Sequence, residues 1–121
     1  MGQEDISYTE ARKIMGRKAI IGVSCQTLAH ARKAQNDGAD YIGFGSVFKT
    51  HTKPERNPMD LRLLRRVLST IEIPVFPIGG ISRRNIGVLT KIGVHRAAVC
   101  RDILLARDPG KAVKELKQEI S

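Results

Sequence analysis

Two stretches hold residue types that could do chemistry. In the first, Thr50, Thr52 and Lys53, with His51 among them, put two hydroxyls and a cation within four residues, soon after the glycine-containing apolar run Tyr41-Ile-Gly-Phe-Gly-Ser46. In the second, the apolar run Pro74-Val-Phe-Pro-Ile78 ends in Gly79-Gly80, and Ser82 opens a helical pattern directly afterwards. Hydroxyls, a lysine, and glycines whose backbone a ligand can approach closely are the materials of phosphate sites. Short apolar runs that end in glycine and open into polar residues also read as buried parallel strands whose C-terminal ends carry binding loops. The two stretches together predict a phosphorylated small molecule as ligand. Other reactive types are less suggestive. His51 and His95 have no second ligand at metal spacing, and His30 falls in a helical pattern. Cys25 and Cys100 are far apart and outside any CxxC arrangement, so they read as reduced structural thiols of a cytoplasmic protein.

The elements that must position these residues fit a chain of 121 residues, about one small domain. That is long enough to bury a core but short of the roughly 200 residues that a complete barrel enzyme needs. A hydrophobic content of 41% with 27% charged residues is ordinary for a globular protein. No signal peptide or apolar run of membrane-spanning length is present, so no membrane association is expected. The net charge of +9 favours anionic ligands. A nucleic-acid partner is disfavoured, because the basic residues are dispersed and the aromatic content of 4%, without Trp, leaves little for base stacking.

Along the chain, Ser7 and Glu10 form a capping box for a helix from Tyr8 to Met15 that Gly16 ends. A strand over Ala19 to Ser24 follows, then a helix opened by Thr27 and closed by Asn36-Asp37-Gly38. Asp40 to Gly45 is the second strand, and the loop after it, running past Pro54 and Pro58, is longer than usual connections. Asp60 caps a helix with Leu61, Leu64, Val67 and Leu68 on one face. Pro74 to Ile78 is the third strand, with a helix from Ser82 to near Gly93, and Arg96 to Cys100 is the fourth. A helical turn at Asp102 to Ala106 precedes a last helix opened by Asp108-Pro109. The order is a leading helix and then four βα units, as in parallel α/β folds.

Nearly the whole chain resembles the C-terminal half of thiamine-phosphate synthase, a TIM barrel, and its relative the thiazole tautomerase. The resemblance runs through Gly2-Gln-Glu-Asp5, Ile21-Gly-Val-Ser24, Asp37-Gly-Ala-Asp-Tyr-Ile-Gly43, Thr50-His-Thr-Lys53, Ile73-Pro-Val75 and Ile78-Gly-Gly-Ile81. It implies a (βα)4 half-barrel corresponding to strands five to eight, preceded by the helix after strand four. Carried over by position, Asp5 matches a magnesium-binding aspartate, which makes Mg the implied cofactor. Ser24 matches a residue that contacts the pyrimidine substrate, and Lys53 the lysine on the pyrophosphate; these two are the implied catalytic residues. Thr50, His51, Thr52 and Gly80 match the thiazole-phosphate site, and Gly79 adjoins it. Arg101 stands where the family usually has a small hydroxyl residue at the last phosphate loop, and there it could grip phosphate bidentately. Arg96 replaces a glycine, and Gln26 replaces the histidine that the tautomerase uses. The first half of the barrel, with the second magnesium aspartate and the main pyrimidine pocket, has no counterpart in the sequence.

Since a half-barrel leaves two strand edges and one apolar face uncovered, a partner is expected. A two-fold homodimer that closes an eight-stranded ring is the first expectation, and a separate chain supplying the first half is the other. The expected function is phosphate or pyrophosphate binding without full synthase activity alone. The alternatives are an active synthase with a site shared between chains, and a basic nucleic-acid-associated protein.

Overall fold

The computed structural model describes residues 7–48 and 60–120. Helix α1 (Tyr8–Met15) starts where the Ser7 hydroxyl accepts from the Glu10 N–H at 3.1 Å. The two N-caps that follow are also side-chain oxygens: Thr27 opens α2 (Leu28–Asp37), and Asp60 opens α3 (Leu61–Thr70). Gly38, in the left-handed region at φ 99°, ends α2.

Three strands, β1 (Gly22–Cys25), β2 (Tyr41–Phe44) and β3 (Val75–Pro77), pair in parallel in the order β1-β2-β3, with Val23 beside Ile42 and Ile42 beside Val75. Alternate residues face opposite ways along a strand. Val23, Cys25, Ile42, Phe44 and Val75 are buried on one face, against Ala31, Ala34, Leu64, Val67, Ile86 and Leu89 of the helices. The opposite face carries Gly22, Ser24, Tyr41, Gly43, Phe76 and Ile78. There Tyr41 and Phe76 meet edge to face, with ring centroids 5.4 Å apart, and Tyr41 and Ile78 are 38% and 45% exposed. The helices therefore cover one side of the sheet only, as in a barrel wall and unlike an open doubly covered sheet.

The last quarter departs from expectation. Arg96 to Cys100 is not a full strand among the described residues: it makes a single parallel bridge, Ile78 to Ala98, with the Ala98 N–H donating to the Pro77 carbonyl at 2.9 Å. Among the described residues the segment pairs with β3 alone. The helix expected from Ser82 forms only as α4 (Ile86–Thr90), because its first residues are held in a separate turn. Helix α5 (Arg101–Leu104) starts one residue earlier than expected, and α6 (Pro109–Ile120) starts at the expected proline. Helix α6 packs on α4 and α5 and buries Ala112 and Leu116.

At the N-terminal ends of the strands one side chain acts as a clasp. Arg12 donates from Nε to the Tyr8 hydroxyl at 2.9 Å, from Nη1 to the carbonyls of Gly16 and Ala19 at 3.1 and 2.6 Å, and from Nη2 to Asp40 Oδ2 at 3.0 Å. The same Asp40 oxygen accepts from the Ile21 N–H at 2.7 Å, and Tyr8 donates to the Gly38 carbonyl at 2.8 Å. First the Ile21 N–H and then the Arg12 guanidinium hold the Asp40 carboxyl below its ordinary range. One arginine thereby fixes α1 to the starts of β1 and β2. Gln35 does similar work for β3, its Oε1 accepting from the Glu72 N–H at 2.6 Å.

Candidate functional site

At the C-terminal ends of the strands, backbone meets backbone. After β2 the chain runs beside the end of β3: the Val47 N–H donates to the Ile78 carbonyl and the Phe48 N–H to the Gly79 carbonyl, each at 3.0 Å. This approach requires glycine. Gly79 has φ 108°, and a Cβ there would lie 2.9 Å from Ser46 Cα and 3.0 Å from the Val47 nitrogen. Gly80 follows at φ 64°, so two successive residues adopt a conformation that side chains resist.

Side chains brace the turn. Asn85 Oδ1 accepts from the Ser82 N–H, and its Nδ2 donates to the Gly80 carbonyl, both at 2.8 Å. Arg83 ties the same turn to the last loop: its N–H and Nε reach Asp102 Oδ2 at 2.9 and 3.0 Å, and its Nη1 reaches Glu115 on α6 at 3.2 Å. Burial raises the pKa of Asp102, but the Arg83 N–H and guanidinium outweigh it and leave the carboxyl lowered. Asp102 is thus the partner of Arg83, while its neighbour Arg101 is exposed at the start of α5.

The sequence-predicted site residues divide into two groups. Ser24 lies exposed on the uncovered face, Gly79 and Gly80 form the braced turn, and Arg101 follows the Ala98 bridge. All four stand at C-terminal ends of strands or of the bridge. Asp5, Thr50, His51, Thr52 and Lys53 lie outside the described residues, and Phe48, bonded to Gly79, is the last described residue before the Thr50 to Lys53 stretch. Among the described residues no three His, Cys, Asp or Glu side chains cluster together. Cys25 is buried, which pushes its thiol up to about 11 and makes it a poor nucleophile. Asn85 and Arg83 were missed from the sequence. An asparagine three residues after Ser82 is a cap-type signal that could have found the first. Ser46 Oγ, buried where the β2 and β3 loops touch, has no hydrogen-bond partner among the described residues.

Concave surface among the described residues lies away from this turn. One hollow lies at the N-terminal ends, lined by Leu68, Pro74, Val75 and His95, and a shallower one is lined by Arg62, Arg65 and Arg66 on α3. Parallel strands with helices on one face and a glycine turn at the C-terminal end of β3 are the architecture of part of a βα-barrel wall. The family model for thiamine monophosphate synthase matches residues 1–103, and the chain belongs to that family. It is 44% identical over 111 residues to a thiamine-phosphate synthase of Gloeobacter violaceus, covering 92% of this chain and 33% of the relative. A thiamine-phosphate synthase of Alkaliphilus oremlandii is 39% identical over 120 residues, 99% of this chain and 57% of its own. Among solved structures, a thiamine phosphate pyrophosphorylase from Pyrococcus furiosus superposes with a TM-score of 0.89 at 37% identity, over 99% of this chain and 57% of that one. A 3-hexulose-6-phosphate synthase shares the fold at 21% identity and a TM-score of 0.65. The chain thus spans a third to rather more than half the length of these synthase relatives, as a C-terminal half does.

Proposed function

We propose that this half-barrel binds a phosphate or pyrophosphate group at its C-terminal strand ends and does not carry out the complete synthase reaction alone. The observation that supports this reading best is the Gly79-Gly80 turn. Its glycines put no side chain of their own at the strand end, and Asn85 and Arg83 hold its shape by hydrogen bonds. Arg101 and Ser24 flank it, and the Thr50 to Lys53 stretch follows the residue bonded to Gly79. In this reading Lys53 neutralises a pyrophosphate, Thr50, His51 and Thr52 donate to a phosphate, and Arg101 adds a fork of N–H groups. Ser24 meets the organic part of the ligand. Asp5 is the residue that would contribute to a magnesium site, and a single carboxylate is a weak holder for that ion without substrate phosphates and a second acid.

The test is titration of the chain with inorganic pyrophosphate, followed at the backbone amides of Gly79 and Gly80, together with a coupled assay for thiamine phosphate with magnesium and both substrates. Saturable shifts that Lys53→Ala weakens, with no turnover, are expected. Clear turnover abolished by Lys53→Ala would replace this reading with its rival, a working synthase whose site is completed by another chain. The 37 to 44% identity to proteins named for that activity is what favours the rival.

A further inference from the structure

A carboxylate is an unwelcome neighbour for an anion, yet Asp102 stands next in the chain to Arg101, one of the residues assigned above to the phosphate. The two are the first residues of α5, shortly after the Ala98 bridge. Adjacent residues of a helix do not face one another, so their side chains are not obliged to pair. Asp102 is bonded elsewhere. Its Oδ2 accepts from the Arg83 N–H at 2.9 Å and from Arg83 Nε at 3.0 Å, while Arg83 Nη1 donates to Glu115 Oε2 at 3.2 Å. The Asp102 carboxyl keeps its charge there: burial raises its pKa, and the Arg83 N–H and guanidinium, with Arg84 adding to them, more than offset that rise. Arg101 is exposed and has no acid partner among the described residues.

Arg83 therefore does two things to Asp102. Its backbone and side-chain donors tie α5 to the turn that begins at Gly79, and its guanidinium cancels the carboxylate charge. With that charge uncancelled, Asp102 would be free to attract Arg101 or to repel an anion held at the turn. The turn itself does not depend on Arg83 alone, because Asn85 bonds to both Ser82 and Gly80.

We propose that Arg83 is a positioning residue of the phosphate site and acts through Asp102: it occupies and neutralises that carboxylate, and so leaves Arg101 to the anion. Arg83 need not touch the ligand, and this role holds only if the phosphate reading does. Glu115 supplies the control, since it meets the same guanidinium but belongs to α6 and is remote in sequence from Arg101.

The experiment is calorimetric titration of the full chain with inorganic pyrophosphate, under conditions where urea unfolding shows every variant to be folded. Arg83→Gln weakens binding about tenfold, roughly as much as Arg101→Ala does. Adding Asp102→Asn to Arg83→Gln restores the affinity to within about twofold of the unaltered chain, because an amide still accepts the backbone N–H and carries no charge. Adding Glu115→Gln in its place changes the net charge equally and restores nothing. Arg83→Lys, which keeps the charge, stays near the original affinity. A loss below about twofold in Arg83→Gln, a tenfold loss in Arg83→Lys, or recovery by both second substitutions or by neither overturns the proposal and leaves the phosphate reading standing. No saturable binding by the unaltered chain overturns the phosphate reading and this role with it.

Discussion

The two ends of the strands are held in opposite ways. At the N-terminal ends, charged and amide side chains reach inward and close on one another: Arg12 on Asp40, Tyr8 and two carbonyls, and Gln35 on the start of β3. At the C-terminal ends the contacts are backbone to backbone through Gly79, and Asn85 braces the turn through the Gly80 carbonyl. The first arrangement spends its polar groups on the fold. The second sets a glycine turn at the end of the strands where βα barrels carry their binding loops.

The contrast can be broken most severely at Gly79. Alanine there combines an unfavourable φ with a collision against Ser46 and Val47, and a loss of about 3 kcal/mol is expected in urea unfolding. Next comes Arg12→Ala, which removes those four hydrogen bonds together with a fifth, from Nη1 to the Arg17 carbonyl at 3.4 Å. It should lower the melting temperature by roughly 5 °C or more while leaving the pyrophosphate affinity of the folded fraction unchanged. A parallel fall in affinity would mean that the two ends are not separable. Asn85→Ala sharpens the comparison from the other end: about 1 kcal/mol of stability should go with its two hydrogen bonds, and pyrophosphate binding should weaken more than stability does. If it merely tracks stability, the brace serves the fold alone.

The smallest effect is pH-dependent. The Asp40 carboxyl has a folded pKa below its unfolded value, so its contribution is present above the ordinary carboxylate range near 4 and is lost as pH falls through the depressed value. Asp40→Asn should therefore flatten the acid side of the stability curve and leave its alkaline side in place. The effect is modest because the side chain is 42% exposed. An unchanged acid limb would remove Asp40 from the clasp.

Local signals were the legible part of the fold. Ser7, Thr27 and Asp60 announced their helices because each N-cap bond spans at most three residues, and Gly38 announced an end for the same reason. The order of elements and the glycines at the strand ends followed from apolar runs and their punctuation. What sequence patterns left hidden depends on distance along the chain. The Arg12 to Asp40 pair bridges 28 positions and the Gln35 to Glu72 contact 37, and neither has a periodic signature. Arg96 to Cys100 has the composition of a strand, yet a strand needs neighbours, and the described structure gives it one for a single bridge. Of the candidate site, the glycines could be read because their backbone angles demand that residue type. The role of Asp102 could not, since Arg83 competes with Arg101 for it from 19 positions away.

The pairing of Tyr41 with Phe76 on the uncovered face gives the molecule an optical property. The chain contains no Trp and only two tyrosines, Tyr8 on α1 and Tyr41 on the uncovered face. Its tyrosine emission therefore comes from two places, a helix and the open side of the sheet. With Tyr8 replaced by Phe, the remaining tyrosine signal would belong to the uncovered face alone, and any change in it would report on the water at that face.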